Sequence, residues 1–306
     1  MNLTVVIDFV LVGLSDYPPT MNGLFMFFLL IYLMTITTNV LIFFLVIRHS
    51  HLHNPMYFFL SNLAFLDTCY SSVTAPKMLL DLITKRQSIS IPACLVQVFF
   101  FLYLASSELF LLSVMSYDRF VAICHPLHYI QVMSWRVCTL LSFVVWILGL
   151  FSALVHTLFL LRLSFCGPNS IYNFFCDLPH LLQISCTDTF INIVVMFVAG
   201  GSLGVGAFVS TFSPYVLILR SVLRIQSKTG RIKAFSTCSS HLTVVLIFYG
   251  SIVFIYLVPT SSHMATINKL LSVMYALINP LLNPLIYSLR NKDLKSAFRR
   301  SFHHFK

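Results

Sequence analysis

Charge is what this chain has least of. Only 9% of its 306 residues are Asp, Glu, Lys or Arg, whereas soluble domains carry roughly 25%. With 58% hydrophobic residues and a mean hydropathy of +0.90, too little polar material remains to coat a water-facing surface. An ordinary soluble protein is excluded. Internal repeats and low-complexity linkers are also lacking, and the short loops leave no room for a separate soluble domain. No span pairs a nucleophile with a base or sets His-x-x-x-His on one helix face, which removes the usual footing of a membrane enzyme. Residues 1–21 contain no Lys or Arg. A cleavable signal peptide needs a basic start, so the first apolar span is expected to act as its own insertion signal.

What is present is apolar sequence of spanning length, about 20 residues at 1.5 Å rise each. It recurs at about 23–47, 56–80, 92–117, 137–161, 190–219, 234–258 and 268–289. These runs are continuous rather than alternating, which rejects a β-barrel. The expected fold is an all-α membrane protein, a single seven-transmembrane helix bundle over residues 1–306, with 1–22 outside and 290–306 as a cytoplasmic tail.

Basic residues set the orientation. With the N-terminus outside, the cytoplasmic side holds 14 of the 19 Lys and Arg residues, among them Arg48, Arg119, Arg136, Arg220, Arg224, Arg231 and Lys295. The formal charge of +10 is thus a topology signal and not a nucleic-acid footprint. Asn2-Leu3-Thr4 is the one N-x-[ST] sequon, and its outer position predicts a glycan on Asn2. Four of the eight cysteines, Cys94, Cys166, Cys176 and Cys186, also fall outside. An oxidising compartment favours two disulfides, in any of three pairings, one of them tying the long loop to the third span.

Two acids, Asp67 and Glu108, lie deep in spans without a Lys or Arg at matching depth. Such carboxylates either hold protons or share a small cation. Oxygens of Asn39 and Asn283 are at hand for a candidate Na⁺ site; no other cofactor is expected. Pro284 breaks the seventh helix by removing a backbone donor, a vacancy that Asn283 is expected to fill. His156 reads as a hydrogen-bonded interior histidine and His180 as an exposed loop residue. The run Asp293–Lys306 reads as a short amphipathic helix on anionic lipid.

Several motifs carry a resemblance: FVLVGLS (9–15), LHNPMYFFL (52–60), MSYDRFVAICHPLHY (115–129), KAFSTCSSHL (233–242), FYG (248–250) and NPLIYSLRNKD (283–293). From end to end the chain resembles a rhodopsin-like G-protein-coupled receptor, and within that class an odorant receptor of the large tetrapod type. Thr38 before Asn39, Ser116 and Phe120 around the Asp118-Arg119 pair, and Pro214 before Tyr215 depart from the usual pattern.

The resemblance implies bridges Cys94–Cys176 and Cys166–Cys186, and a sodium site at Asp67 and Glu108. It implies that Asp118 holds Arg119 at rest and releases it on activation towards Tyr215, Tyr287 and the G protein. His241, Asn283 and Pro284 take part in that switch, and Tyr249 stands where other receptors carry a switch tryptophan. An apolar pocket is expected in the outer half of the bundle. Phe101, Leu102, Ala105 and Ser106 would line it from the third span, and Met196 and Leu203 from the fifth. Tyr249, Ile252, Val253 and Tyr256 would line it from the sixth, Val273 and Ala276 from the seventh. Phe101 takes the place of the acid in amine receptors, which disfavours cationic amines. The implied partners are a small volatile odorant, a heterotrimeric stimulatory G protein that raises cAMP, membrane lipids and trafficking chaperones. The alternatives are a non-olfactory chemosensory receptor, or a transporter or channel. The last two lack paired broken helices and rings of pore charge.

Overall fold

The computed structural model describes residues 7–15, 17–166, 169–224, 226–257, 265–290 and 292–303; within these, side chains at 233–234, 236–237, 254–257, 265–266, 289–290, 292–293, 299 and 301–303 lie outside the description. Asn2 and the side chain of Tyr256 therefore fall outside it. Helices α1 (Pro18–Arg48), α2 (Pro55–Thr84), α3 (Ile91–Cys124) and α4 (Trp135–Leu160) follow one another through short connections. Helix α5 runs from Phe190 to Leu223 and α6 from Lys228 to Leu257. Helix α7 joins Ala265–Val273, Met274–Ile278 and Asn279–Arg290, and α8 is Lys292–His303. The chain is a seven-helix bundle with a short eighth helix.

Local chemistry explains the ends. Proline occupies the first turn of α1, α2 and α3, where its missing donor costs nothing. The Asn54 side chain caps α2 by accepting from the Tyr57 amide at 3.2 Å. Gly149 lets α3 and α4 close up, because a Cβ there would collide with Ser107 Oγ and lie 2.9 Å from the Tyr103 carbonyl oxygen.

Among the described residues five helices are long and apolar enough to cross a membrane by length and composition: α1, α3, α4, α5 and Ile267–Ser288 of α7. In α6 the described residues include the apolar stretch Cys238–Val253. Helix α2 has the length, at 30 residues, but Asp67, Lys77 and Asp81 dilute it. Phe44, Phe143, Leu158, Phe197, Val209 and Leu246 stand more than 45% exposed on the outside of the bundle, a surface suited to hydrocarbon rather than water.

One feature had no sequence forecast. Strand β1 (Asp8–Leu11) pairs antiparallel with β2 (Ser88–Ser90) and parallel with β3 (Ser170–Ile171), in the order β2-β1-β3. This sheet crosses one end of the bundle, hereafter the sheet end; the opposite end, with Arg48, Arg119 and Arg224, is the basic end. Phe9 is fully buried and meets Phe165 edge-on at 5.0 Å.

Candidate functional site

Three clusters occupy the bundle axis, one near each end and one midway. Below the sheet, Phe101 is 5% exposed and sits in an aromatic cage. Its ring centroid lies 4.7 Å from Phe175, 5.1 Å from Tyr70 and 5.8 Å from Tyr275. Phe175 comes from the long loop, whose middle the Cys94–Cys176 disulfide pins to α3 and whose two flanks Cys166–Cys186 joins. Polar contacts tighten it further. Gln97 Oε1 accepts from the Cys176 amide at 2.9 Å, and Asn173 Nδ2 donates to Ser272 Oγ at 3.2 Å. Lys269 Nζ donates to the Gly13 carbonyl at 2.8 Å, fastening the N-terminal segment to α7.

His180 differs from the exposed loop histidine expected of it. It lies on a short loop helix, Leu178–Gln183, with Nδ1 2.5 Å from Asp177 Oδ1. Burial works against the charged ring and Lys269 opposes it, yet the Asp177 carboxylate outweighs both and raises its pKa above the ordinary histidine value.

Of the residues expected around a ligand, Phe101, Ala105, Tyr249, Val273 and Ala276 share one buried cluster with Phe175, Phe248 and Tyr275, and Ile252 packs against it. Leu102 and Met196 belong to a neighbouring cluster with Leu160, Leu178 and the Cys94–Cys176 bridge. Ser106 turns its hydroxyl to Ser152 Oγ of α4, 3.2 Å away. Leu203 is half-buried, whereas Val253 is 44% exposed on α6, away from the buried cluster. Two π-turns border the region, Met196–Gly200 in α5 and Met274–Ile278 in α7. Each inserts a residue and re-aims the side chains beyond it, a device common at functional sites.

Sequence reasoning missed a run of hydroxyls beneath Tyr249. The Tyr249 hydroxyl is 3.0 Å from Thr211 Oγ1, which is 2.7 Å from Ser113 Oγ. Helices α6, α5 and α3 are thereby joined within one buried chain. Ser113 and Thr211 look like any other small hydroxyl in an apolar span, so only the fold reveals them.

Midway, Asn283 Nδ2 donates to Asp67 Oδ1 at 3.0 Å and Oδ2 at 3.2 Å, and to Glu108 Oε1 at 3.1 Å. All three residues are at most 4% exposed. The expectation that Asn283 fills the gap made by Pro284 is corrected here. Pro284 leaves the Pro280 carbonyl without its helical donor, and Asn39 of α1 supplies one, at 2.9 Å. The two asparagines thus present amide nitrogens, not the oxygens foreseen, because carboxylates and a bare carbonyl both need donors.

At the basic end Asp118 is fully buried and Arg119 is 9% exposed. Arg119 Nε donates to Asp118 Oδ2 at 2.9 Å, a second guanidinium nitrogen reaches the same oxygen, and the Tyr129 hydroxyl donates to Oδ1 at 2.8 Å. Beside them the Tyr215 hydroxyl and His241 Nδ1 share a hydrogen bond, their rings stacked at 6.0 Å. Tyr287 lies 6.4 Å from the His241 ring. His241 Nε2 and the Tyr287 hydroxyl are buried without a hydrogen-bond partner among the described residues. Helix α5 continues through Pro214. The departures are accommodated: Ser116 bonds back to the Leu112 carbonyl at 3.0 Å, and the Phe120 ring meets His125 at 5.5 Å.

Seven helices, several of them of membrane-spanning length and composition, packed around a buried acid–arginine pair form the architecture of a seven-helix membrane receptor. Its fold is that of squid rhodopsin, whose crystal structure superposes with a TM-score of 0.69 over 95% of this chain and 87% of that one, at 20% identity. The olfactory receptor family profile matches residues 28–304. Mouse olfactory receptors 1M1 and 5AR1 are 46% and 47% identical over 98% of this chain and 96% of their own length. Human olfactory receptor 1C1 is 45% identical over 98% of this chain and 95% of its own. The chain belongs to the olfactory receptor family, a class of multi-pass membrane receptors rather than enzymes.

Proposed function

We propose that this chain binds small, mostly apolar volatile molecules below the sheet and couples them to a stimulatory, olfactory-type G protein that raises cAMP. The sheet end faces the outside, with Asn2 as a glycan site, and the basic end faces the cytoplasm, as the distribution of Lys and Arg favours. The observation that carries the reading is the basic-end cluster. A buried arginine is neutralised by Asp118, which Tyr129 holds in turn, next to two buried polar atoms with no partner among the described residues. An unpaired buried polar group costs about 1–3 kcal/mol, so this end has hydrogen bonds to gain in another arrangement.

The ligand acts by differential affinity for the two arrangements. Contact at Phe101 and Tyr249 strains the Tyr249–Thr211–Ser113 chain, and α6 moves at its basic end. That motion separates His241 from Tyr215, and Arg119 then leaves Asp118 for Tyr215, Tyr287 and the G protein. A shift from ~1% to ~99% active would take about 5.5 kcal/mol of differential affinity, more than a ligand of few atoms readily supplies, so partial activation is expected.

Asp67 and Glu108 also suit a small hard cation: two carboxylates from neighbouring helices converge on one amide nitrogen, and no Lys or Arg among the described residues pairs with either. Bound Na⁺ would supply that balance, held by these two carboxylates, and would favour the resting arrangement. The test of the whole reading is a broad odorant panel scored by cAMP in cells supplied with trafficking chaperones. Response in wild type and silence in Arg119→Ala at equal surface level are expected; an Arg119→Ala receptor that signals normally would refute the switch.

A further inference from the structure

The α4–α5 seam below the sheet holds two acceptors, on His156 and Asn192, that no other described residue uses. His156 is 7% exposed, and its Nδ1 lies 2.7 Å from the Ser152 carbonyl oxygen. A carbonyl can only accept, so Nδ1 carries the proton. The neutral ring then offers a lone pair at Nε2.

That nitrogen makes no hydrogen bond among the described residues. It faces the bare α-carbon of Gly200, where a Cβ would come within 3.1 Å of it. Gly200 closes the π-turn Met196–Gly200. Two turns earlier on α5, Asn192 is 4% exposed and its amide Nδ2 donates to the Phe159 carbonyl at 2.7 Å, leaving its Oδ1 buried and without a partner among the described residues. Residues 192, 196 and 200 follow one another at the four-residue spacing of a single helix face. Met196 thus stands between the two acceptors, and Ser106 joins the same seam through Ser152.

We infer that this seam reads the head group of the ligand: His156 Nε2 accepts from, and so selects, an apolar molecule ending in a neutral hydrogen-bond donor, an alcohol above all, while Asn192 Oδ1 keeps the next two turns of the seam unfavourable to a head group that only accepts. The inference deepens the receptor reading and rests on it. Aldehydes, ketones, ethers and esters of the same length carry acceptors only, and would leave His156 as unsatisfied as before. Carboxylates would set negative charge against two lone pairs. Sites built around a buried hydrogen bond discriminate strongly against analogues that lack it.

The test uses the purified full chain and the straight-chain alcohols from butanol to decanol, each matched with its aldehyde and methyl ether. Thermal shift reads binding, and cAMP in cells reads activation. Each alcohol that fits is expected to bind roughly 10-fold more tightly than its matched partners, the worth of one hydrogen bond. His156→Phe should bring that ratio close to unity, while His156→Gln, which keeps an acceptor, should retain part of it. Should His156→Phe fail to fold, Gly200→Ala serves instead, since its methyl presses on Nε2 and should erode the same ratio. Equal binding of alcohols and their partners by wild type overturns the inference and leaves the receptor reading intact; so does a preference that survives both His156→Phe and Gly200→Ala. Absence of any thermal shift across the series overturns it too. Alcohol binding without cAMP would instead uphold the seam and count against coupling.

Discussion

The sharpest consequence of the basic-end geometry concerns Tyr129. Its hydroxyl donates to Asp118 at 2.8 Å, while Asp118 holds Arg119 through its other oxygen. Tyr129→Phe removes that donor and little else, because the ring remains. A hydrogen bond to a charged group is worth about 1.5–3 kcal/mol, and the half-buried position of Tyr129 argues for the lower figure. If the bond exists only at rest, losing about 1.5 kcal/mol moves the resting-to-active ratio roughly 10-fold. The assay is ligand-independent cAMP normalised to receptor at the cell surface. Basal output should rise by up to ~10-fold over wild type, and combination with Arg119→Ala should return it to background. Unchanged or lower basal output at equal surface level would refute the idea that this contact restrains Arg119.

Other consequences follow from the packing and the loop. Gly149→Ala places a methyl against Ser107 and the Tyr103 carbonyl, so melting of the purified receptor should reveal a loss of about 1–3 kcal/mol; an unshifted midpoint would mean α3 and α4 are not closely packed. The raised His180 value stabilises the protonated ring beside Asp177. Its contribution is whole below the ordinary histidine value of about 6.5 and is lost as pH rises through the raised one. Thermal stability should therefore fall as the outer medium is made alkaline, with a slope that Asp177→Asn flattens; identical slopes would remove the pair from consideration. Exchange of Na⁺ for a bulky organic cation should lower the wild-type melting point and leave Asp67→Asn indifferent, whereas equal sensitivity would point to protons in place of the cation.

Helices and motifs could be read in advance because each rests on local information. A bilayer demands about 20 apolar residues in a row, and the Asp118-Arg119 pair is conspicuous in such company. The sheet could not be read this way. Phe9-Val10-Leu11 is a short apolar run whose partners, Ile89 and Ile171, lie far along the chain. The exchange of roles between Asn39 and Asn283 was hidden for a related reason. Either amide could answer Pro284, and only helix placement shows that α1 reaches Pro280 while Asn283 turns to two acids. Both π-turns, the Ser113–Thr211–Tyr249 chain and the unused face of His156 likewise depend on neighbours that no sequence window contains.

Nucleotide exchange offers the most direct trial of a ligand-tipped bundle. Purified receptor would be reconstituted with a stimulatory heterotrimeric G protein and GTP-analogue uptake followed with and without an odorant selected from the cellular panel. Faster uptake with odorant in wild type, and none in Arg119→Ala that still binds the same odorant, is the expected result. Uptake indifferent to odorant, or preserved in Arg119→Ala, would contradict the account.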